Sequence, residues 1–207
     1  MFFKKMNKVV VIDDAIDKNI IDRFSKNINN DLFIDVGKTS YAQTETNFQI
    51  KFYKDNFQIN EKYSELRNSI FKKIETTIGY KLPIPSVSRN CFLKYNEPGM
   101  RSAMHVEHED IHGRLGFLFY LSTEDSGYLR WVDQNGEDEY FSKYPEEKQQ
   151  FIDSYSYRQL YGDIQVQPIF NRLVIFETLG SHLVDVLESS INKLPRLCIM
   201  GWPLCEV

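Results

Sequence analysis

MHVEHEDIHGRLGFLFYLS, residues 104–122, places a cluster of potential metal ligands directly before a long apolar run. The first ten of these residues include three histidines and three carboxylates, which are both common ligands of metal ions. The run 115–122 is apolar at nearly every position, which is typical of a strand that is buried on both faces. The stretch therefore predicts a metal site next to a central strand.

Short apolar segments separated by turn residues continue on both sides of this stretch. Further strands are predicted at 90–95, 127–132, 164–167, 172–177 and 197–202. Runs of short strands at this spacing favour a barrel or a sandwich. Residues 133–163 interrupt the series as a polar, tyrosine-rich insertion with one predicted helix at 145–155, and their acidic side chains at 137–139 and 146–147 are expected to be solvated. Because long insertions are often functional, we expect this one to border the mouth of the site and to be mobile without substrate.

The N-terminal part has a different pattern. Residues 8–13 read as a strand, and apolar residues recur at helical spacing over 14–28 and 60–78, where Asn60 can cap the second helix and Gly79 can end it. Residues 37–58 are predicted to be loop with at most one strand. The sequence therefore predicts a helical support region before the strand-rich part.

The composition narrows the class of protein. The 207 residues, 42% of them hydrophobic, suit one domain with one core. A net charge of −4 argues against nucleic-acid binding, which usually needs a basic face. No apolar stretch approaches the roughly 20 residues of a membrane helix, so no membrane association is expected. The N-terminus lacks the apolar run of a signal peptide, and the three cysteines form no CxxC motif, so free thiols and a cytoplasmic location are expected.

Two pairs of residues could supply neighbouring metal ligands. In an extended chain, residues i and i+2 point to the same side, which applies to His105 with Glu107 and to His108 with Asp110. His182 could supply a third ligand from a later strand end. Two histidines and one carboxylate on one face of an octahedral ion form the facial triad of non-haem Fe(II) oxygenases.

From about residue 91 to residue 202 the chain resembles the Fe(II)/2-oxoglutarate-dependent dioxygenases, in particular the prolyl-hydroxylase-like branch. The resemblance lies in the order of the segments LKYNEPGMRSAMHVE, LGFLFYLS, GYLRW, QPIFNRLVIFE, SHLV and PRLCIMGW. It implies a mainly β fold with supporting helices, namely a double-stranded β-helix (a jelly roll, or cupin-like barrel). It also implies one dioxygenase domain over 1–207, with a helical support region at 1–82 and a jelly-roll core at 83–207 that contains the 133–163 insertion.

The resemblance also favours one of the two ligand pairs. The family has a Tyr nine or ten residues before its first ligating His and a Gly six before it, and Tyr95 and Gly99 stand at these distances from His105. His105, Glu107 and His182 are therefore the implied metal ligands, with Glu107 where most of this branch carries Asp. The pair His108 and Asp110 gives the commoner His-x-Asp motif but leaves a short link to the next strand, and it stays the alternative.

The implied cofactors are Fe(II), the co-substrate 2-oxoglutarate and O₂. By resemblance, Arg196 binds the distal carboxylate of 2-oxoglutarate, for which its planar guanidinium is suited, while Tyr120 and Tyr95 line the co-substrate pocket. The implied reaction hydroxylates an aliphatic C–H bond and releases succinate and CO₂. The substrate class stays open between a peptide such as a prolyl peptide, an amino acid and another small molecule.

Two other classes of function are compatible with parts of the sequence. A cupin-like metal enzyme without 2-oxoglutarate would use the same ligands but would not need Arg196. A non-catalytic β-sandwich binding module would use aromatic residues such as Trp131 and no metal. Nucleic-acid demethylases of the same superfamily usually carry a second Arg about six residues after the first, where this chain has Trp202.

Overall fold

The computed structural model describes residues 8–26, 33–35, 50–53, 61–82, 91–96, 102–107, 113–122, 127–186 and 196–203. The strands in these residues are β1 (Val9–Ile12), β2 (Phe33–Asp35), β3 (Ile50–Tyr53), β4 (Cys91–Asn96), β5 (Ser102–His105), β6 (Leu115–Tyr120), β7 (Gly127–Trp131), β8 (Ile164–Val166), β9 (Leu173–Glu177), β10 (His182–Val186) and β11 (Arg196–Gly201). The α-helices are α1 (Lys18–Ser25), α2 (Glu61–Ile78), α3 (Gln134–Lys143) and α4 (Lys148–Ser154).

The described strands form two antiparallel sheets. The larger sheet has the order β1-β9-β6-β11-β4-β3-β2, and the smaller has the order β5-β10-β7-β8. Strand β6 lies in the middle of the larger sheet and is buried at all but one of its positions, as its apolar run predicts. The two sheets and few helices agree with the mainly β class that the sequence predicts.

One face of the larger sheet is covered by α1 and α2. Phe71 of α2 meets Phe117 of β6 edge-on, with 5.7 Å between the ring centroids. Alternate residues of the sheet pack against these helices and form an apolar cluster, which we call the outer core. It includes Ile21, Phe24, Leu66, Ile70, Ile74, Leu115, Phe119, Leu173, Ile175 and Ile199. Burial of these side chains, worth roughly 1.5–3 kcal/mol each, fixes the helices in the supporting position that the sequence predicts.

The other face of the larger sheet packs on the smaller sheet. This inner core consists of Tyr120, Val174, Phe176 and Cys198 from the larger sheet, Leu129, Trp131 and Val166 from the smaller, and Tyr161 from the insertion. Because strand residues alternate between faces, β6 supplies Phe117 and Phe119 to the outer core and Tyr120 to the inner core. The candidate site lies beside this inner core, on the same face of the smaller sheet.

Helix α1 begins later than its apolar pattern predicts. The sequence predicts a helix from residue 14, but Asp14 has a φ of +46°, which is incompatible with a right-handed helix. Asp17 is the N-cap instead, and its side chain accepts a hydrogen bond of 2.8 Å from the backbone N–H of Asn19.

Helix α2 ends at Gly79 as predicted, and the φ of +81° at this position explains the glycine.

The insertion contains more helix than the sequence predicts. The predicted helix at 145–155 is a short 3₁₀ turn, Pro145–Glu147, followed by α4, and a second helix, α3, precedes it. Asp133 caps α3 through a 2.9 Å hydrogen bond from the N–H of Gly136. A Cβ on Gly136 would lie 2.8 Å from the Cβ of Val132, so this glycine, which weakens the helical pattern in the sequence, is required by packing.

Both insertion helices pack on the outer face of the smaller sheet, where they form a third apolar cluster of Met104, Val106, Val132, Tyr140, Phe141, Phe151 and Leu183. The region 1–82 also contributes β1, β2 and β3 to the larger sheet, where the sequence predicts the first of these strands and at most one more. Among the described helices, none has the length and apolar character needed to cross a membrane.

Candidate metal centre

Two histidines meet where the first and second strands of the smaller sheet pair. His105 is the last residue of β5, His182 is the first residue of β10, and the two are direct partners in the antiparallel ladder. On its other side His182 is paired with Trp131 of β7. Residues directly opposite each other share a face of a sheet. The three rings therefore lie in a row on the face that carries the inner core.

Glu107 approaches the two histidines from the chain that leaves β5. Its backbone N–H donates a 3.2 Å hydrogen bond to the carbonyl oxygen of Thr178, which precedes β10. The glutamate is only 4% exposed. Its Oε1 lies 3.6 Å from Nε2 of His105 and 4.0 Å from Nε2 of His182. We refer to His105, Glu107 and His182 as the candidate metal centre.

Each imidazole ring is oriented by a backbone carbonyl group. Nδ1 of His105 lies 2.8 Å from the carbonyl oxygen of Ala103, and Nδ1 of His182 lies 2.8 Å from that of Gly180. A carbonyl oxygen only accepts hydrogen bonds, so the neutral rings carry their protons on Nδ1. Each Nε2 then carries the lone pair, which is the arrangement that metal-binding histidines adopt.

The separations of these atoms are close to those of ligands around a single metal ion. Two ligands of one ion lie at most about 4.2 Å apart when each bond measures about 2.1 Å. The three ligand atoms of the candidate metal centre lie within 4.8 Å of one another, so the side chains would have to rotate slightly inward to hold one ion. A cation between them would also offset the cost of burying the Glu107 carboxylate. Two nitrogens and one oxygen on one side of an ion leave further positions open for other ligands.

Aromatic rings form an apolar wall beside the candidate metal centre. The ring centroid of His182 lies 5.7 Å from that of Trp131 and 5.6 Å from that of Phe176. Trp131 is fully buried, and Tyr120 is 1% exposed in the same inner core. Such a wall lowers the local dielectric constant and strengthens electrostatic interactions at the centre.

The structure brings together only some of the residues that the sequence singles out. His105, Glu107 and His182 are adjacent, and Tyr120 belongs to the inner core beside them. Arg196 is the first residue of β11, and Tyr95 lies on the neighbouring strand β4, where it is the partner of Leu197; for both, the structure describes the backbone alone. The alternative ligands His108 and Asp110 lie outside the described residues.

The sequence-based prediction gives no part in this site to Glu137, Arg158 and Ser181, which lie next to it in the structure. Glu137 is expected to be solvated, but this prediction is wrong, since the residue is 1% exposed. Its carboxylate accepts hydrogen bonds from Arg158 of the insertion and from Ser181, the residue before His182. The acidic run around Glu137 gave no signal for this role, because the partners come from distant parts of the chain.

Two facing antiparallel sheets with a His-x-Glu pair and a distal histidine between them define a β-sandwich with a candidate mononuclear metal site. A solved structure that is similar in fold to this chain is a prolyl hydroxylase from Trichoplax adhaerens in complex with a hypoxia inducible factor oxygen degradation domain peptide fragment. It has 15% sequence identity to this chain, with a TM-score of 0.59, over 96% of this chain and 84% of its own.

A second similar structure is an oxidoreductase of the 2OG-Fe(II) oxygenase family from Burkholderia pseudomallei. Here the identity is 11% and the TM-score 0.58, over 93% of this chain and 83% of the other. At these identities the likeness shows a shared fold, so the resemblance seen in the sequence is confirmed at the level of the fold. No protein-family model and no curated protein sequence matches the chain.

Proposed function

We propose that the chain is an Fe(II)- and 2-oxoglutarate-dependent dioxygenase whose domain spans 1–207 and whose two sheets are those of a double-stranded β-helix. The observation that carries this proposal is the convergence of His105, Glu107 and His182 on one point of the inner face. The fold shared with a prolyl hydroxylase and a 2OG-Fe(II) oxygenase supports it. The iron, when bound with 2-oxoglutarate and O₂, supplies the oxidising chemistry that hydroxylates an aliphatic C–H bond and releases succinate and CO₂.

The protein's own part in this function is to hold the metal and to exclude water. His105 and His182 present Nε2 because the carbonyl groups of Ala103 and Gly180 hold their Nδ1 protons. Glu107 contributes one negative charge, which partly neutralises a divalent ion in an apolar surrounding. Glu107 lies two residues beyond the end of β5. Its side chain is one methylene group longer than that of the commoner aspartate, and its Oε1 lies 3.6 Å and 4.0 Å from Nε2 of the two histidines.

Arg196 is the residue that we assign to the distal carboxylate of 2-oxoglutarate. It opens β11 two positions before Cys198, which lies in the inner core. Residues two apart in a strand share a face, so the register supports an inward position for Arg196. We assign Tyr120 and Tyr95 to the walls of the same pocket. The substrate that we expect is a peptidyl prolyl or other amino-acid residue. We also propose that this chain acts in the cytoplasm.

Anaerobic titration with Fe(II) and 2-oxoglutarate tests this proposal, because a 2-oxo acid that chelates Fe(II) gives a visible charge-transfer band. Arg196→Ala should weaken 2-oxoglutarate binding by about a hundredfold or more, since removal of one partner of a buried charge pair costs about 3–5 kcal/mol. Arg196→Lys should fall between, because the charge remains but the planar fork is lost. Iron affinity should stay unchanged in both. Arg23, which pairs with Glu65 at the surface, provides the matched control Arg23→Ala.

Each contrary outcome identifies a different error. A wild-type protein that binds Fe(II) but not 2-oxoglutarate would favour a cupin-like enzyme without this co-substrate. A protein that binds no metal would favour a non-catalytic binding module. If the band forms, succinate release should be measured across proline-containing peptides, free amino acids and small metabolites, which identifies the substrate class.

A further inference from the structure

The turn 178–181, between β9 and β10, contacts two of the three residues of the candidate metal centre. The carbonyl oxygen of Gly180 accepts the hydrogen bond from Nδ1 of His182 at 2.8 Å. The carbonyl oxygen of Thr178 accepts the hydrogen bond from the backbone N–H of Glu107 at 3.2 Å. The position of this turn therefore determines the direction of one imidazole ring and the path of the chain at Glu107.

The insertion is hydrogen-bonded to this turn at several points. The backbone N–H of Gln159 donates to the carbonyl oxygen of Leu179 at 2.8 Å, and the N–H of Ser181 donates to the carbonyl oxygen of Gln159 at 3.3 Å. The hydroxyl group of Ser181 donates to Oε1 of Glu137 at 2.7 Å. The turn is thus bonded to two separate parts of the insertion, helix α3 and the segment after α4.

Glu137 and Arg158 form a bidentate ion pair that joins these two parts. Nε of Arg158 lies 2.6 Å from Oε1 of Glu137, and Nη2 lies 2.7 Å from Oε2. The guanidinium group also lies over the ring of Phe151, 5.2 Å from its centroid. The hydrogen bonds from Arg158 fix both oxygens of the Glu137 carboxylate, and Glu137 in turn raises the pKa of Arg158. The carboxylate that accepts the hydrogen bond from Ser181 is therefore held in one orientation.

Burying a carboxylate is expensive, and apolar residues of similar volume often stabilise a fold equally well. Glu137 is buried and its partner Arg158 is partly exposed, with 20% of its side chain accessible. Because hydrogen bonds fix direction as well as distance, this pair can orient the residue before a candidate metal ligand in a way that an apolar contact cannot. We propose that Glu137 and Arg158 are positioning residues, which fix Ser181 and the turn 178–181 and thereby aim Nε2 of His182 at the metal ion. This inference rests on the proposed function.

Metal binding and the order of the insertion are then coupled in both directions. If a fixed turn favours metal binding, a bound metal ion must favour the fixed turn by the same free energy. The coupling passes through Ser181 in particular, whose side chain connects the turn to the ion pair. Removing its hydroxyl group leaves the ion pair intact and deletes only this connection.

Titration of the full chain with Mn²⁺ alone tests the inference without any turnover. Ser181→Ala should weaken Mn²⁺ binding by about tenfold, at the lower end of the 10–100-fold effects of residues that support metal ligands. Ser142→Ala removes a serine hydroxyl group from α3, where it bonds the carbonyl oxygen of Glu139 at the surface, and should leave the affinity unchanged. Glu137→Gln should also weaken Mn²⁺ binding, because the amide keeps an acceptor for Ser181 but loses the charge that holds Arg158 and with it the fixed direction of this acceptor.

Amide hydrogen exchange measures the coupling itself. Mn²⁺ should slow exchange at the amides of Gln159 and Ser181 in the wild-type protein and in Ser142→Ala, and this protection should shrink in Ser181→Ala. Unchanged Mn²⁺ affinity in both Ser181→Ala and Glu137→Gln would overturn the inference and leave the ion pair a purely structural contact. A wild-type protein without Mn²⁺ affinity would overturn the proposed function and this inference together.

Discussion

Replacing Gly180 by alanine should damage both the fold and the metal centre. A Cβ at this position would lie 2.3 Å from Cδ2 and 2.4 Å from Cε2 of Tyr161, and 2.9 Å from Cδ1 of Trp131. Carbon atoms in contact are normally about 3.5–4.0 Å apart, so the ring of Tyr161 must retreat by roughly 1 Å. Both rings are buried, with Tyr161 8% and Trp131 0% exposed, which leaves them little room.

The size of the effect follows from this crowding. Overpacking of a dense core typically costs about 1–3 kcal/mol. Such a loss lowers the midpoint of thermal unfolding by about 2–12 °C in a chain of this length. Because the carbonyl oxygen of Gly180 holds Nδ1 of His182, a displaced backbone should also weaken Mn²⁺ binding by about 10–100-fold.

Thermal unfolding and Mn²⁺ titration of Gly180→Ala are the assays. Gly79→Ala is the matched control, since a Cβ there meets nothing within 4 Å and the substitution costs only the strain of a positive φ, roughly 1–2 kcal/mol. It should lower stability without changing metal affinity. If Gly180→Ala unfolds at the wild-type temperature with wild-type Mn²⁺ affinity, the packing of Tyr161 and Trp131 on this glycine is not a constraint, and the reasoning fails.

Two further predictions concern the ligand register and the attachment of the N-terminal strand. His105→Ala should abolish Mn²⁺ binding while His108→Ala leaves it near the wild-type value; the reverse result in the same titration would assign the metal to His108 and Asp110. The side chain of Asn171 bonds both the N–H (3.0 Å) and the carbonyl oxygen (2.8 Å) of Ile16. Because each buried backbone group that loses its partner costs about 1–3 kcal/mol, Asn171→Ala should lower the free energy of unfolding by about 2–6 kcal/mol in a urea titration. A loss below about 1 kcal/mol would contradict this prediction.

Strong periodic patterns carried most of the information about the fold. Strand β6 and helix α2 were predictable because a long run of buried residues, or a repeated apolar face closed by Gly79, depends on few distant contacts. Helix α3 could not be predicted in this way, because its face toward the smaller sheet consists of Tyr140, Phe141 and a glycine within a polar sequence. The start of α1 was missed because the apolar pattern does not reveal the positive φ at Asp14, which keeps this residue out of the helix.

The candidate metal centre could be predicted in part, because two of its three residues are close in sequence. Its distant supporting residues could not be predicted. His105 and Glu107 are two residues apart, and the family resemblance favours them over His108 and Asp110 through the spacing to Tyr95 and Gly99. His182 followed from its place after a predicted strand. The buried state of Glu137 could not be predicted, because whether a carboxylate is solvated depends on a cation that arrives from residue 158 and a hydroxyl group that arrives from residue 181.

The pairing of β5 with β10 has a consequence for the order of events during folding. The two histidines are separated by β6, β7, the insertion, β8 and β9 along the chain, so the ladder between them closes a very long loop. Contacts of this kind form slowly, because the entropy of loop closure is lost before any contact compensates for it. We therefore expect the complete set of three ligands to assemble late in folding. A metal ion that binds this set should then slow unfolding more than it accelerates folding.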